Sequence, residues 1–165
     1  MFDDAVLIAL GSNLAGGFES SKALLGEALG AFAGAGLRVL RVSSWWRSTA
    51  WPDPTQPDYL NGAAMVETLL APRDALTALQ ALEVAFGRVR GARNAPRTLD
   101  LDLIAHGRAI LDQPGLVLPH PRAAERRFVM GPVAEIAPGW RHPTLGRTAS
   151  DLAAAATVGT DAKPV

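Results

Sequence analysis

The sequence predicts an α+β fold, a ferredoxin-like antiparallel sheet of βαββαβ order with helices on one face and a C-terminal helical extension. Three observations carry this. Ala5 to Leu10 is a continuous apolar run of strand length, closed by a glycine turn. Two stretches, 18–33 and 71–86, repeat apolar residues at helical spacing. Three others, 37–46, 59–67 and 99–105, have strand length and strand-like patterning. Read in order, these elements give the split βαβ arrangement. Its antiparallel sheet carries helices on one face and leaves the other free for a site.

Each element has a local reason. Leu24, Leu25, Ala28, Leu29 and Phe32 form the apolar stripe of the first helix. Gly34-Ala-Gly36 breaks it before the strand from Leu37 to Trp46. Pro52, Pro54 and Pro57 forbid a regular element between Arg47 and Asp58, a long loop with Trp51 at its centre. From Tyr59 to Glu67, Leu60, Gly62, Ala64 and Val66 share one strand face and Tyr59, Asn61 and Ala63 the other. Pro72 opens the second helix, whose apolar positions are Ala75, Leu76, Leu79, Leu82, Val84 and Phe86, and Gly87 stops it. Gln80 and Glu83 lie one turn apart near its end. After the strand at 99–105, His106-Gly107 turns into a short return at 109–111, and 115–120 runs extended. A helix is expected over 122–136, with Arg126, Arg127 and Phe128 at its middle. Thr148 or Ser150 caps a last helix. The predicted domain is residues 1–158, with 159–165 a flexible tail.

Composition narrows the function. At 165 residues one domain is the simplest reading, and 16 basic residues balance 16 acidic ones. That balance argues against a protein that coats nucleic acid. Cysteine is absent, which excludes disulfides, thiolate metal sites and cysteine nucleophiles. The N-terminal apolar run is too short for a membrane span or signal segment, so a cytoplasmic, soluble chain is expected.

The stretch from Gly87 to Asp102 carries the chemistry. Arg88, Arg90, Arg93 and Arg97 punctuate a glycine- and proline-containing loop with no acid among them. Asp100 and Asp102 follow on a strand, with Leu99, Leu101 and Leu103 turned to the core. Residues i and i+2 share a face roughly 6–7 Å apart. Two bare carboxylates that close repel, and a hard cation such as Mg²⁺ relieves the conflict. The adjoining arginines suit phosphates. The plainer alternative is a hairpin with solvated acids and surface arginines. Tyr59 and Asn61 suit a planar heterocycle, or else pack on the loop and bond backbone. The Gly11-Ser-Asn-Leu14 turn lacks the spacing of a phosphate loop and reads as a tight turn.

Gly11-Ser-Asn-Leu14, Gln56-Pro-Asp-Tyr-Leu-Asn61, Gly87-Arg-Val-Arg90, Pro96-Arg-Thr-Leu-Asp-Leu-Asp102 and Pro119-His120 with Phe128 resemble the 6-hydroxymethyl-7,8-dihydropterin pyrophosphokinase family. The resemblance runs over nearly the whole chain in order. It implies transfer of the terminal diphosphate of ATP to the hydroxymethyl group of a reduced pterin, with release of AMP, in folate biosynthesis. By the same resemblance, Asp100 and Asp102 hold two Mg²⁺ ions, and Arg88 and Arg97 grip the phosphates. Tyr59 and Phe128 sandwich the pterin, Asn61 reads its edge beside Ser48 and Thr49, and Trp51 lies in a loop over the substrate. Gln80, Glu83, Arg90, Leu103, His120 and Arg126 match nucleotide-contacting positions. Departures at Asn94, Gly115, Val117 and Pro121 bear on the adenosine pocket. Neither nucleic acid nor membrane is an expected partner, and a monomer is expected. The alternatives are a non-enzymatic ferredoxin-like module binding nucleotide or RNA, or another Asp-x-Asp metal-dependent phosphotransferase. Against the first stand the zero net charge and the lack of an RNA-binding aromatic string.

Overall fold

The computed structural model describes residues 3–50, 53–87 and 98–165. Strand β1 (Val6–Ser12) leads to helix α1 (Ser21–Ala31), where the N-cap Ser20 hydroxyl accepts the Ala23 amide at 3.1 Å. A 3₁₀ turn at Ala33–Ala35 ends on Gly36, whose φ of +86° requires glycine. Then come β2 (Arg38–Val42), β3 (Trp46–Ser48) and β4 (Tyr59–Glu67). Helix α2 (Pro72–Ala85) starts on proline and gives way to Gly87. It is followed by β5 (Asp100–His106) and a hairpin of β6 (Leu111–Gln113) and β7 (Leu116–Leu118). A 3₁₀ turn at Ala123–Glu125, α3 (Arg127–Ile136), α4 (Ala149–Ala155) and β8 (Lys163–Pro164) complete the chain.

The sheet has six strands in the order β5-β1-β4-β3-β8, with β2 also paired to β4. Its pairings are antiparallel. Strand β1 is central and buried at every position, which explains its unbroken apolar run. Ile8, Leu10, Leu99, Leu101 and Leu103 pack with α1 and α2 on one face. Leu7, Ala9, Ala63 and Met65 pack with Val129, Val133, Trp140 and Leu152 on the other. The second face is therefore not free as expected. The C-terminal extension covers the part that holds Leu7, Ala9, Ala63 and Met65.

Besides one position on α2, four further expectations need correcting. The strand expected over 37–46 is two strands, because four steps from Val42 to Trp46 oppose three from Ala64 to Asn61. That extra residue is a bulge. It is held by the Ser43 hydroxyl on the Ala63 amide at 2.9 Å, and Trp45 packs over Gly62 where a Cβ would clash. The helix expected over 122–136 breaks at Arg126, which is extended and bridges Val158. The return expected at 109–111 lies at 111–113. Last, residues 159–165 are no flexible tail. Ala162 is buried, β8 pairs with β3, and the Val165 amide bonds the Trp45 carbonyl at 2.9 Å. The local sequence is short of apolar residues, so only the partners brought by the fold could hold it. Val84, expected on the buried stripe of α2, is exposed, and Glu83 is buried in its place. Among the described residues no helix is long and apolar enough to cross a membrane.

Candidate active site

Register decides what the second face presents. Gly11 of β1 is paired with Asn61 of β4 on one side and Asp100 of β5 on the other. Asn61 is paired in turn with Trp46 of β3. One step along, Ala9 is paired with Ala63 and with Asp102. Paired residues of antiparallel strands project to the same side, so Asp100, Asp102 and Asn61 all lie on the face of Ala9 and Ala63. Tyr59 and Ser48, two residues from Asn61 and Trp46, form the next row. Both candidate groups picked from sequence, the carboxylates and the Tyr59/Asn61 pair, thus share one face.

Gly11 separates them, and the sequence reading assigned it no part in the site. A Cβ there would stand 3.0 Å from the Asn61 Oδ1. Its φ is not left-handed, so the need for glycine is steric. Asn61 is buried and donates from Nδ2 to the Ser48 hydroxyl at 3.0 Å. Asn13 was also missed: it is buried and its Nδ2 donates to the Pro57 carbonyl at 3.2 Å and to Gln56 Oε1 at 3.4 Å. The Gly-Ser-Asn turn therefore ties the chain before β4 to the end of β1. The Ser12 hydroxyl beside it donates to the Leu14 carbonyl and pairs with the Ser21 hydroxyl at 3.2 Å, fixing the start of α1. The two motifs, far apart in sequence, were the available signal.

On β5, Asp100 and Asp102 are half-buried. Between them, the Leu101 amide donates to the buried Glu83 carboxylate at 2.9 Å. Glu83 thereby holds the strand between its two acids, a role that helical spacing alone did not reveal. Gln80 is exposed on the same helix. Leu103 has its side chain in the core, so a ligand reaches it only by its backbone. It lines a cavity of about 260 Å³ with Leu76, Asp102, Val117, His120 and Pro121, and Gly115 lies at the same cavity.

His120 stands at this cavity with its ring Nδ1 accepting the Arg122 amide at 3.2 Å. A neutral ring then carries its proton on Nε2. Burial, with the positive charges of Arg126 and Arg122, pushes its pKa down to about 4, although Asp100 pulls the other way. At neutral pH it is an uncharged donor. Arg126 sits 5.7 Å from the Phe128 ring centre, a cation–π contact, and Phe128 is half-buried at the start of α3. Thr49 is exposed and donates both its amide and its hydroxyl to Asp161, at 2.9 and 2.5 Å. Trp51, Arg88, Arg90, Arg93, Asn94 and Arg97 lie outside the described residues.

Known proteins resemble this chain in sequence and fold. The family model of 7,8-dihydro-6-hydroxymethylpterin-pyrophosphokinase matches residues 7–138. The 2-amino-4-hydroxy-6-hydroxymethyldihydropteridine pyrophosphokinase of Pseudomonas aeruginosa is 44% identical over 151 residues, 91% of this chain and 90% of that protein. The protein of the same name from Synechocystis sp. is 48% identical over 118 residues, 72% of this chain but 60% of that protein. A crystal structure of wild-type Plasmodium falciparum HPPK-DHPS superimposes with a TM-score of 0.70 at 10% identity, a likeness of fold that covers 97% of this chain and 48% of the other. The match thus spans less than two thirds of the Synechocystis and Plasmodium chains. On the family match and these identities, the chain belongs to the 7,8-dihydro-6-hydroxymethylpterin-pyrophosphokinase family.

Proposed function

We propose that this chain transfers the terminal diphosphate of ATP to the hydroxymethyl group of 6-hydroxymethyl-7,8-dihydropterin and releases AMP, as a cytoplasmic monomer in folate biosynthesis. The bond from the pterin hydroxyl oxygen to the β-phosphorus forms. The bond from that phosphorus to the oxygen bridging to the α-phosphorus breaks, and the hydroxyl proton passes to solvent. The observation that supports this best is the row Asp100–Gly11–Asn61, which gives one sheet face a carboxylate at one end and a planar amide at the other.

Asn61, held by Ser48, pairs with the heteroatom edge of the pterin, and Gly11 leaves the floor bare beneath a flat ring. Tyr59 and Phe128 supply its stacking faces. Asp100 and Asp102 fit a divalent cation: they offer hard oxygen donors on a half-open strand, and among the described residues no group of three ligating side chains completes a closed cage. Mg²⁺ characteristically takes one or two carboxylates and completes its shell with water and substrate phosphate. Bound there in two sites, it would neutralise the triphosphate and orient it for in-line displacement. The cavity beside Leu103 and His120 receives the nucleoside, with the neutral His120 as a donor. Gln80, Glu83 and Arg126 border the nucleotide. Arg88, Arg90 and Arg97 meet the phosphates, and Arg88 and Arg97 also stabilise the charge that develops in the transition state. Thr49 joins Ser48 beside Asn61 at the pterin edge, and Trp51 belongs to the loop over the pterin. No side chain is needed as a strong base, because positioning and charge dominate phosphoryl transfer.

The test is the nucleotide product formed from ATP, Mg²⁺ and 6-hydroxymethyl-7,8-dihydropterin. AMP in equal amount to a pterin diphosphate is expected. Accumulation of ADP, or no pterin-dependent turnover, would overturn the reading. So would full activity in excess EDTA.

A further inference from the structure

The C-terminal residues perform a task that neither the family likeness nor the reaction assigns to them. Beyond α4, the Thr157 and Val158 amides donate to the Glu125 carbonyl at 3.1 and 2.9 Å, and the Arg127 amide donates to the Val158 carbonyl at 2.9 Å. Gly159, at φ +69°, then turns the chain so closely over Phe128 that a Cβ there would run into the ring. The buried Ala162 accepts Arg127 Nε at 2.9 Å on its carbonyl. Next, Lys163 and Pro164 pair with Arg47 and Trp46. One short segment thus touches both α3, which carries Phe128, and β3, which carries Ser48.

Asp161 lies at the centre of that segment. One carboxylate oxygen accepts both donors of Thr49, the first residue past β3. Two bonds to one residue fix its backbone and its side-chain rotamer together, and a charged acceptor strengthens each. The preceding residue, Ser48, is the one that holds Asn61.

We propose that Asp161 is a positioning residue for the pterin half of the site, clasping Thr49 so that Ser48, Asn61 and Phe128 keep one arrangement; this rests on the function proposed above. The geometry is direct, since Asp161 stands two residues from Gly159 and bonds the residue next to Ser48. The Thr49 bonds, with a smaller contribution from Lys163, hold the Asp161 carboxyl below its ordinary range, while slight burial opposes them. The clasp is therefore ionised at neutral pH.

The experiment compares the full chain with Asp161→Ala, Asp161→Asn and Thr49→Val, and with the double variant Asp161→Ala/Thr49→Val. KM for the pterin, KM for ATP, kcat and thermal midpoint are read for each. Loss of the clasp is expected to raise the pterin KM about three- to tenfold, in line with one to two hydrogen bonds. ATP KM and kcat of Asp161→Ala should move less than twofold. The double variant should be no worse than Asp161→Ala, because Thr49→Val removes only the hydroxyl bond, one of the two that Asp161→Ala removes. Asp161→Asn, which keeps an acceptor but no charge, should fall between. An unchanged pterin KM in Asp161→Ala would overturn the proposal. Pterin and ATP KM rising together with a falling midpoint would also overturn it, since that is general loosening. Equilibrium binding of the pterin to wild type and variants separates the two ideas. A wild type that binds pterin without making AMP sinks the reaction and leaves the clasp to be decided by the binding ratios. A wild type that binds no pterin overturns both.

Discussion

Asp100 and Asn61 occupy one row of the sheet, on either side of Gly11. Two strand spacings separate their backbones, about 10 Å. That distance admits a flat ring against the amide and phosphate oxygens against the carboxylate, provided nothing projects between them. Glycine is the residue that projects nothing.

Gly11→Ala tests this. Its Cβ would meet the Asn61 Oδ1 at 3.0 Å and the Leu60 carbonyl at 3.7 Å. The nearer atom belongs to the group that is to read the pterin. We expect the pterin KM to rise about tenfold or more, with ATP affinity changed much less, for a misplaced bond and a crowded floor. Asn61→Ala should act on the same quantity, at roughly 1–3 kcal/mol. Normal pterin kinetics in Gly11→Ala would show that the floor is not used.

Asp100→Asn and Asp102→Asn should each abolish most activity, by about 10²–10⁴, while leaving thermal unfolding nearly unchanged. Both acids are half-buried, so the thermal midpoint of each variant is read beside its activity. Titration of ATP with and without Mg²⁺ should show that the variants lose the metal-dependent part of binding. Wild-type rates in either variant would remove it from the metal site.

Glu83→Ala leaves the Leu101 amide without its carboxylate acceptor, and a lost acceptor for a buried donor costs about 1–3 kcal/mol. For a domain of this length that is a fall in midpoint of roughly 2–12 °C. Glu83→Gln retains an amide oxygen and should lose less. Because Leu101 lies between the two acids, ATP affinity should fall alongside stability. Unfolding curves and ATP titrations of both variants check this, and an undisturbed Glu83→Ala would make the bond incidental.

His120 predicts a pH dependence of stability. Its pKa is pushed from an ordinary 6.5 to about 4, so between those values the unfolded chain binds the proton more readily. Stability from this group is complete above about pH 6.5 and declines as pH falls towards 4, by roughly 3 kcal/mol in all. Burial of the ring sets it first, with Arg126 and Arg122 also opposing a ring charge and Asp100 favouring one. Urea unfolding of wild type and His120→Asn at pH 7.5, 6 and 5 should show a shallower pH slope in the variant. Equal slopes would mean that the ring titrates normally.

Local periodicity decided much of this protein. Tyr59 and Asn61 share a face, and so do Asp100 and Asp102, because a strand alternates every two residues whatever surrounds it. The unbroken run in β1 encoded burial on both faces, and proline and glycine marked the ends of α2. Register is not local. Nothing in the sequence near Gly11 states that Asn61 and Asp100 are its partners, because pairing is settled by how whole strands slide until their apolar faces meet the same core. The same holds for Glu83, whose inward turn depends on the Leu101 amide arriving beside α2. It holds most for Asp161 and Thr49, whose contact spans 112 residues and was invisible in a segment that reads alone as a polar tail. Side-chain phase is a property of the strand, whereas neighbours exist only once the chain has closed on itself.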